Sequence, residues 1–176
     1  MLILETNFNG LYEIQLKNNE DTRGWFMRTY DADLFKENIK DFSNEWKQIN
    51  HSFSSQKGTF RGLHYQEAPF QESKCVRCLS GAVIDYALDL RKNSETYLHV
   101  FEIELSAKNR KMIYIPKGFA HGFFTLEDNT ELIYMHDEFY NPNYERGVYF
   151  QDKRIKTLIN IAPIIMSEKD KNYKNL

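Results

Sequence analysis

The chain has 176 residues, a formal net charge of -2, and 13 Phe, 11 Tyr and 2 Trp. That length carries one domain with a sizeable core, expected to span residues 1–176, and the near-neutral charge offers no basic field of the kind that collects nucleic acid. No apolar run is long enough to span a bilayer, and the start, M-L-I-L-E-T-N-F, has no basic segment ahead of an apolar one, so no membrane partner is expected and the expected location is the cytoplasm.

Tyrosine and phenylalanine favour pleated, half-buried surfaces, which leans the composition toward β-structure. With 8 Gly, 4 Pro and no low-complexity stretch, nothing divides the chain, and no repeat of fixed period is present. In chain order, Glu13 to Leu16 and Trp25 to Tyr30 read as short strands flanking an N-N-E-D-T turn. Asp31 to Ile39, D-A-D-L-F-K-E-N-I, predicts a helix: Asp31 or Asp33 can cap it, and Leu34, Phe35 and Ile39 fall near helical spacing. Lys47 to Ser54 alternates as a strand does. Residues 61 to 66, R-G-L-H-Y-Q, predict another strand, with Arg61, Leu63 and Tyr65 on one face and Gly62, His64 and Gln66 on the other.

Cys75 to Leu79 and Ala82 to Leu90 predict a hairpin turned at Ser80-Gly81. Tyr97 to Leu105, Lys111 to Ile115, Gly122 to Leu126, Glu131 to Glu138 and Gly147 to Phe150 read as further strands, and Ser167 as the cap of a short terminal helix. Many short strands with turn signals about every ten residues predict an all-β sandwich or barrel with a few short helices.

The two cysteines stand in C-V-R-C, residues 75 to 78. On a strand, positions three apart point to opposite faces, which argues against redox or zinc chemistry. The run I-P-K-G-F-A-H-G-F-F, residues 115 to 124, has the spacing P-x-G-x-x-H, which resembles the second half-motif of the cupin barrels. The first cupin half-motif carries H-x-H, and here H-Y-Q puts Gln66 in place of the second histidine. A neutral amide is a poor ligand for a divalent transition metal, so His64 and His121 make an incomplete set and no metal is expected.

Further strings are D-T-R-G-W-F (21 to 26), Q-I-N-H-S (48 to 52), K-C-V-R-C (74 to 78), D-Y-A-L-D-L-R (85 to 91), E-L-I-Y (131 to 134), Y-N-P-N-Y-E-R-G (140 to 147) and M-S-E-K-D (166 to 170). Together with R-G-L-H-Y-Q they resemble, in order and over nearly the whole chain, the nucleotide-sugar 4-keto-6-deoxyhexose 3,5-epimerases. The resemblance implies a cupin-type jelly-roll and epimerisation at C3, C5 or both of a nucleotide-diphosphate-linked 4-keto sugar, for surface polysaccharide such as capsule or lipopolysaccharide. It also implies a homodimer and no cofactor. By the same carry-over, His64 is the catalytic base, Asp170 its dyad partner and Tyr134 the acid on the opposite sugar face. Lys74, Arg61 and His121 would line the keto-sugar pocket. Arg23, Gln48 and Asn50 would lie on the nucleotide side, with Arg28 and Tyr140 also among the substrate-binding positions.

That chemistry is physically coherent. A C–H beside a ketone is acidic because the carbanion delocalises to an enolate; the reaction needs a base of near-neutral pKa and donors aimed at the developing oxyanion. A carboxylate on the far nitrogen of the histidine steadies the imidazolium that forms. Inversion also needs a proton returned from the other face of the ring.

The sequence departs from the family at Arg28, where glutamate is usual, at Phe139-Tyr140 in place of paired tyrosines, and at Phe150 in place of tryptophan. The segment K-N-S-E-T-Y-L also lacks the usual proline and glycine. These changes fall on the nucleotide and sugar-periphery side, so a GDP-linked sugar such as a heptose is an expected alternative to a dTDP-linked one. A C3-only epimerase, a 3,4-ketoisomerase of related barrel fold, a non-catalytic sugar-nucleotide-binding cupin and a metal-dependent cupin oxygenase are further alternatives.

Overall fold

A computed structural model of the chain describes residues 1–43, 45–157, 159–173 and 176. Strands β1 (Leu2–Glu5) and β2 (Tyr12–Gln15) open it, followed by a hairpin of β3 (Asn18–Asp21) and β4 (Gly24–Met27) and by helix α1 (Ala32–Asn38). Then come β5 (Gln48–Ser54), β6 (Phe60–Gln66), β7 (Lys74–Ser80), β8 (Ala82–Asp89), β9 (Val100–Ser106), β10 (Lys111–Ile115), β11 (Phe119–Thr125), β12 (Thr130–His136), β13 (Glu145–Gly147) and helix α2 (Glu168–Lys171).

Two antiparallel sheets form a sandwich, six strands in the order β1-β2-β10-β7-β12-β5 facing five in the order β13-β6-β11-β8-β9. The architecture is the expected all-β, cupin-like one. Inward positions an even number apart on each strand, such as Val76 and Cys78, Ile113 and Ile115, Phe119 and Phe123, build one core between the sheets. Helix α1 covers the outer face of the first sheet. Asp31 caps it by accepting from Leu34 N at 3.3 Å, and Phe35 and Ile39 bury against Tyr12, Met112 and Tyr114. Cys75 faces that outer cluster and Cys78 the inner core, so the two thiols lie on opposite sides of β7, as strand parity predicts. Burial pushes the Cys78 thiol up to about 11 and Cys75 higher still, which suits packing rather than thiolate chemistry.

Four expectations need correction. The Cys75–Leu90 region is no hairpin, because β7 belongs to the six-stranded sheet and β8 to the five-stranded one; Gly81 turns the chain across the sandwich with φ +72, its missing Cβ leaving room for Thr130. Residues 18 to 21, expected as a turn, are a strand, and the turn is Thr22-Arg23. Strand β4 stops at Met27, and Tyr30 joins the Phe35, Phe42 and Trp46 aromatic cluster. The strand expected over 147 to 150 lies earlier, at β13, while Val148 and Phe150 sink into the second core.

Candidate active site

A cavity of ≈ 270 Å³ opens between the sheets at their polar end, above the apolar core. Eight of the eleven predicted site residues line it: Gln48, Asn50, Arg61, His64, Lys74, His121, Tyr134 and Tyr140. Gln48, Asn50 and Ser52 come from alternate positions of β5, Lys74 from β7 and Tyr134 from β12, all in the six-stranded sheet. His64 and His121 come from the facing sheet, where they sit opposite each other in register on β6 and β11.

Strand parity places Arg61 on the face away from His64, yet both line the cavity. The reason is a bulge. His121 pairs with His64 and Phe123 pairs with Arg61, so three steps along β6 match two along β11. Gly62 takes φ +137 there, and a Cβ on it would stand 2.5 Å from the Gly122 Cα. Only glycine facing glycine allows this approach, which turns the Arg61 side chain inward, where it bonds Ser54 Oγ at 3.3 Å and Phe53 O at 2.9 Å.

Asp170 stands behind His64 instead of lining the cavity. Its Oδ1 lies 2.7 Å from His64 Nε2, and its Oδ2 accepts from Gly62 N at 3.3 Å. Ser167 caps α2 by accepting from Asp170 N at 3.0 Å, so the short helix exists at the place where it aims this carboxylate. Burial pushes the Asp170 carboxyl up, but the bond and charge of His64 and the Gly62 N–H outweigh it, and the group ends below its ordinary value. With Nε2 held by a carboxylate, His64 presents Nδ1 as a proton acceptor. On the other wall, the Tyr134 hydroxyl meets Ser52 Oγ at 2.9 Å. Burial holds its phenol well above the ordinary value, so it is a neutral donor at neutral pH.

His121 Nε2 lies 2.8 Å from Asp85 Oδ2, a fully buried carboxylate whose burial raises it above its ordinary value despite His121. Lys74 Nζ bonds Glu72 Oε1 at 2.7 Å, and Glu72 Oε2 bonds His136 Nδ1 at 3.1 Å. Burial would raise the Glu72 carboxyl, but the Lys74 charge and the bonds from His136 and Lys74 hold it at about 2.

Gln66 has no spare group for a ligand. Its amide nitrogen donates to Phe70 O at 2.9 Å and to Phe139 O at 3.2 Å, and its oxygen accepts from Asn141 N at 2.6 Å, tying two loops at the cavity rim. Among the described residues, no group of three or more His, Cys, Asp or Glu side chains is arranged to hold a metal ion.

Arg23 and Arg28 lie outside the cavity of their own chain. Arg23 pairs with Asp21 at 2.6 Å in the turn of the β3–β4 hairpin, and Arg28 pairs with Asp31 at 2.5 Å ahead of α1. Sequence reasoning missed Ser52, Glu72, His136 and Glu145, which also line the cavity. The strand period of two signals Ser52 and His136, two residues from Asn50 on β5 and from Tyr134 on β12, whereas Glu72 precedes β7 and lies outside that pattern. Glu145, which accepts from Tyr140 Oη and Lys169 Nζ at 2.6 Å each, has no such signal.

Comparison with known proteins identifies the family. The family model described as dTDP-4-dehydrorhamnose 3,5-epimerase matches residues 5–176. The dTDP-4-dehydrorhamnose 3,5-epimerase of Shigella flexneri is 38% identical over 172 residues, covering 98% of this chain and 94% of that protein. The crystal structure of the Elizabethkingia anophelis enzyme of the same name superposes with a TM-score of 0.93 at 38% identity, covering 99% of this chain and 96% of that one. The Legionella pneumophila dTDP-6-deoxy-D-glucose-3,5-epimerase, solved with dTDP-4-keto-L-rhamnose, gives a TM-score of 0.91 at 33% identity, covering 99% and 92%. Among the described residues no helix is long and apolar enough to cross a membrane. The chain belongs to the dTDP-4-dehydrorhamnose 3,5-epimerase family and is an isomerase that epimerises a nucleotide-linked 4-keto sugar.

Proposed function

We propose that this single-domain protein inverts C3, C5 or both of its substrate through a His64–Tyr134 acid–base pair. The observation that carries the reading is the placement of a carboxylate-held histidine on one sheet and a neutral, half-buried phenol on the other, with a cavity between them. His64 Nδ1 takes the proton beside the ketone, and Asp170 steadies the imidazolium. The enolate oxygen is met by Lys74, Arg61 and His121, and Tyr134 returns a proton to the other face. A cavity of ≈ 270 Å³ has room for a sugar ring, and in this reading the nucleotide lies along the mouth, toward Gln48, Asn50 and Tyr140.

The relatives, dTDP-linked sugar epimerases by name, support a dTDP-linked substrate. Arg28, standing where the family places a glutamate, supports the second reading, a GDP-linked sugar. Calorimetry with dTDP and GDP separates the two, and a clear preference for dTDP sinks the second.

The homodimer belongs to the same proposal. Trp25 and Phe26 of β4 and Ile49 and Phe53 of edge strand β5 are more than half exposed, an apolar surface that a second copy would cover. Such a copy would bring Arg23 and Arg28 to a neighbouring cavity.

The test of the chemistry is turnover of dTDP- and GDP-linked 4-keto sugars in deuterated water. Deuterium is expected at each inverted carbon, and His64→Ala is expected to lower kcat by about 10²- to 10⁴-fold. Label at C3 alone would make the enzyme a C3 epimerase. Unchanged turnover in His64→Ala would remove the mechanism.

A further inference from the structure

One chain of hydrogen bonds runs along the cavity wall of the six-stranded sheet, across three strands. It starts at the Lys74–Glu72 pair, where Nζ and Oε1 are 2.7 Å apart and both side chains are nearly buried. Glu72 Oε2 meets His136 Nδ1 at 3.1 Å, and His136 Nε2 meets Asn50 Nδ2 at 3.4 Å. Asn50 Oδ1 accepts from Gln48 Nε2 at 3.0 Å, and Gln48 Oε1 accepts from Tyr140 N at 3.1 Å. The amide of Asn50 can only donate at its nitrogen. In this pairing His136 Nε2 accepts from Asn50, and Nδ1 donates to Glu72. The imidazole is a two-ended connector with a fixed sense. Its ring also lies 27° from parallel to that of Tyr134, which restricts its tilt.

We propose that His136 is a positioning residue: it fixes the Asn50–Gln48 amide pair from the buried Glu72 carboxylate, and so sets the affinity for the nucleoside diphosphate part of the substrate. Glu72 is the branch point. One oxygen holds the Lys74 ammonium at the sugar end of the cavity, and the other holds His136 for the mouth. The inference rests on the functional reading above, in which Gln48 and Asn50 meet the nucleotide side. Without His136, Asn50 loses the partner that orients it, and the Gln48 amide is free to turn toward water.

The experiment measures the Kd of dTDP and of GDP by calorimetry, with kcat and KM on the accepted sugar, for wild type, His136→Phe and His136→Gln. Phenylalanine keeps the ring volume beside Tyr134 and removes both nitrogens. Glutamine can donate to Glu72 or accept from Asn50. His136→Phe is expected to raise the nucleotide Kd about fivefold to tenfold, the worth of one hydrogen bond, with KM rising in step and kcat falling by less. His136→Gln is expected to recover most of that affinity. Glu72→Gln, which loosens Lys74 as well, is expected to lower kcat in addition. A Kd within twofold of wild type in His136→Phe overturns the proposal. So does a loss in kcat and KM alike that tracks a lowered melting temperature and is not recovered by glutamine. If wild type binds neither nucleotide and turns over no 4-keto sugar, the functional reading fails first and this inference falls with it; a wild type that binds and turns over isolates the test to His136.

Discussion

The residues with the most leverage are those whose partners are buried with them. Glu72 illustrates this in its pH response. Its carboxyl is held at about 2, below its ordinary 4.5. A depressed acid contributes stability above its unfolded pKa and loses it as pH falls through the folded one. At about 1.4 kcal/mol per unit, the contribution is on the order of 3 kcal/mol, lost between about pH 4.5 and 2. Urea unfolding across that range is expected to show this decline, and Glu72→Gln to flatten it; an unchanged slope in the variant would count against the Lys74–Glu72–His136 cluster as a stability source. Tyr134 makes a different prediction. Because its phenol is neutral and bonded to Ser52, Tyr134→Phe is expected to keep the fold and to remove the proton that the proposed acid would donate. Hydrogen exchange at the substrate carbon is expected to outlast inversion in that variant, and the NMR ratio of deuterated substrate to deuterated epimer reads it directly.

At the scale of elements, two short segments hold the site. The bulge in β6 requires Gly62, since a side chain there meets both an unfavourable φ of +137 and the Gly122 backbone. Gly62→Ala is expected to destabilise the protein by about 3 kcal/mol or more, combining strain with overpacking, as measured by denaturant midpoint. Helix α2 is one turn long and buries Asp170. Ser167→Ala removes its cap, worth about 1 kcal/mol. The global melting temperature is expected to move little, while kcat falls severalfold as Asp170 loses its aim; equal turnover would show that the dyad does not depend on the cap. The bulge, the cap and α1 differ in how readable they are. Asp31 and Ser167 announce their helices by residue type and position. Nothing in R-G-L-H-Y-Q states that one residue will be extra, because a bulge depends on the strand it pairs with.

For the whole molecule, the question is what completes the cavity at its mouth. Arg23 projects from a hairpin whose neighbours Trp25 and Phe26 are exposed, and it is remote from its own site. If a second copy receives it, co-expressing His64→Ala with Arg23→Ala chains is expected to restore activity above that of either variant alone, since a mixed dimer contains one intact site. Additive activities would refute delivery across an interface. Sedimentation of Phe53→Asp is expected to show a shift toward monomer.

Much of this molecule was legible along the chain. Alternation along the strands foretold which side chains face inward, because side-chain direction in a strand repeats every two residues. The capping residues foretold both helices, because an unpaired N–H needs a nearby acceptor. The rare strings pointed to the family before any coordinate. The tertiary fold alone decided that β7 and β8 part to different sheets, that Arg61 turns inward beside His64, that Asp170 reaches His64 across 106 positions, and that Glu72 and His136 meet. Each of these depends on contacts between segments distant in sequence, whose geometry is set when two sheets pack and not by the order of residues within either.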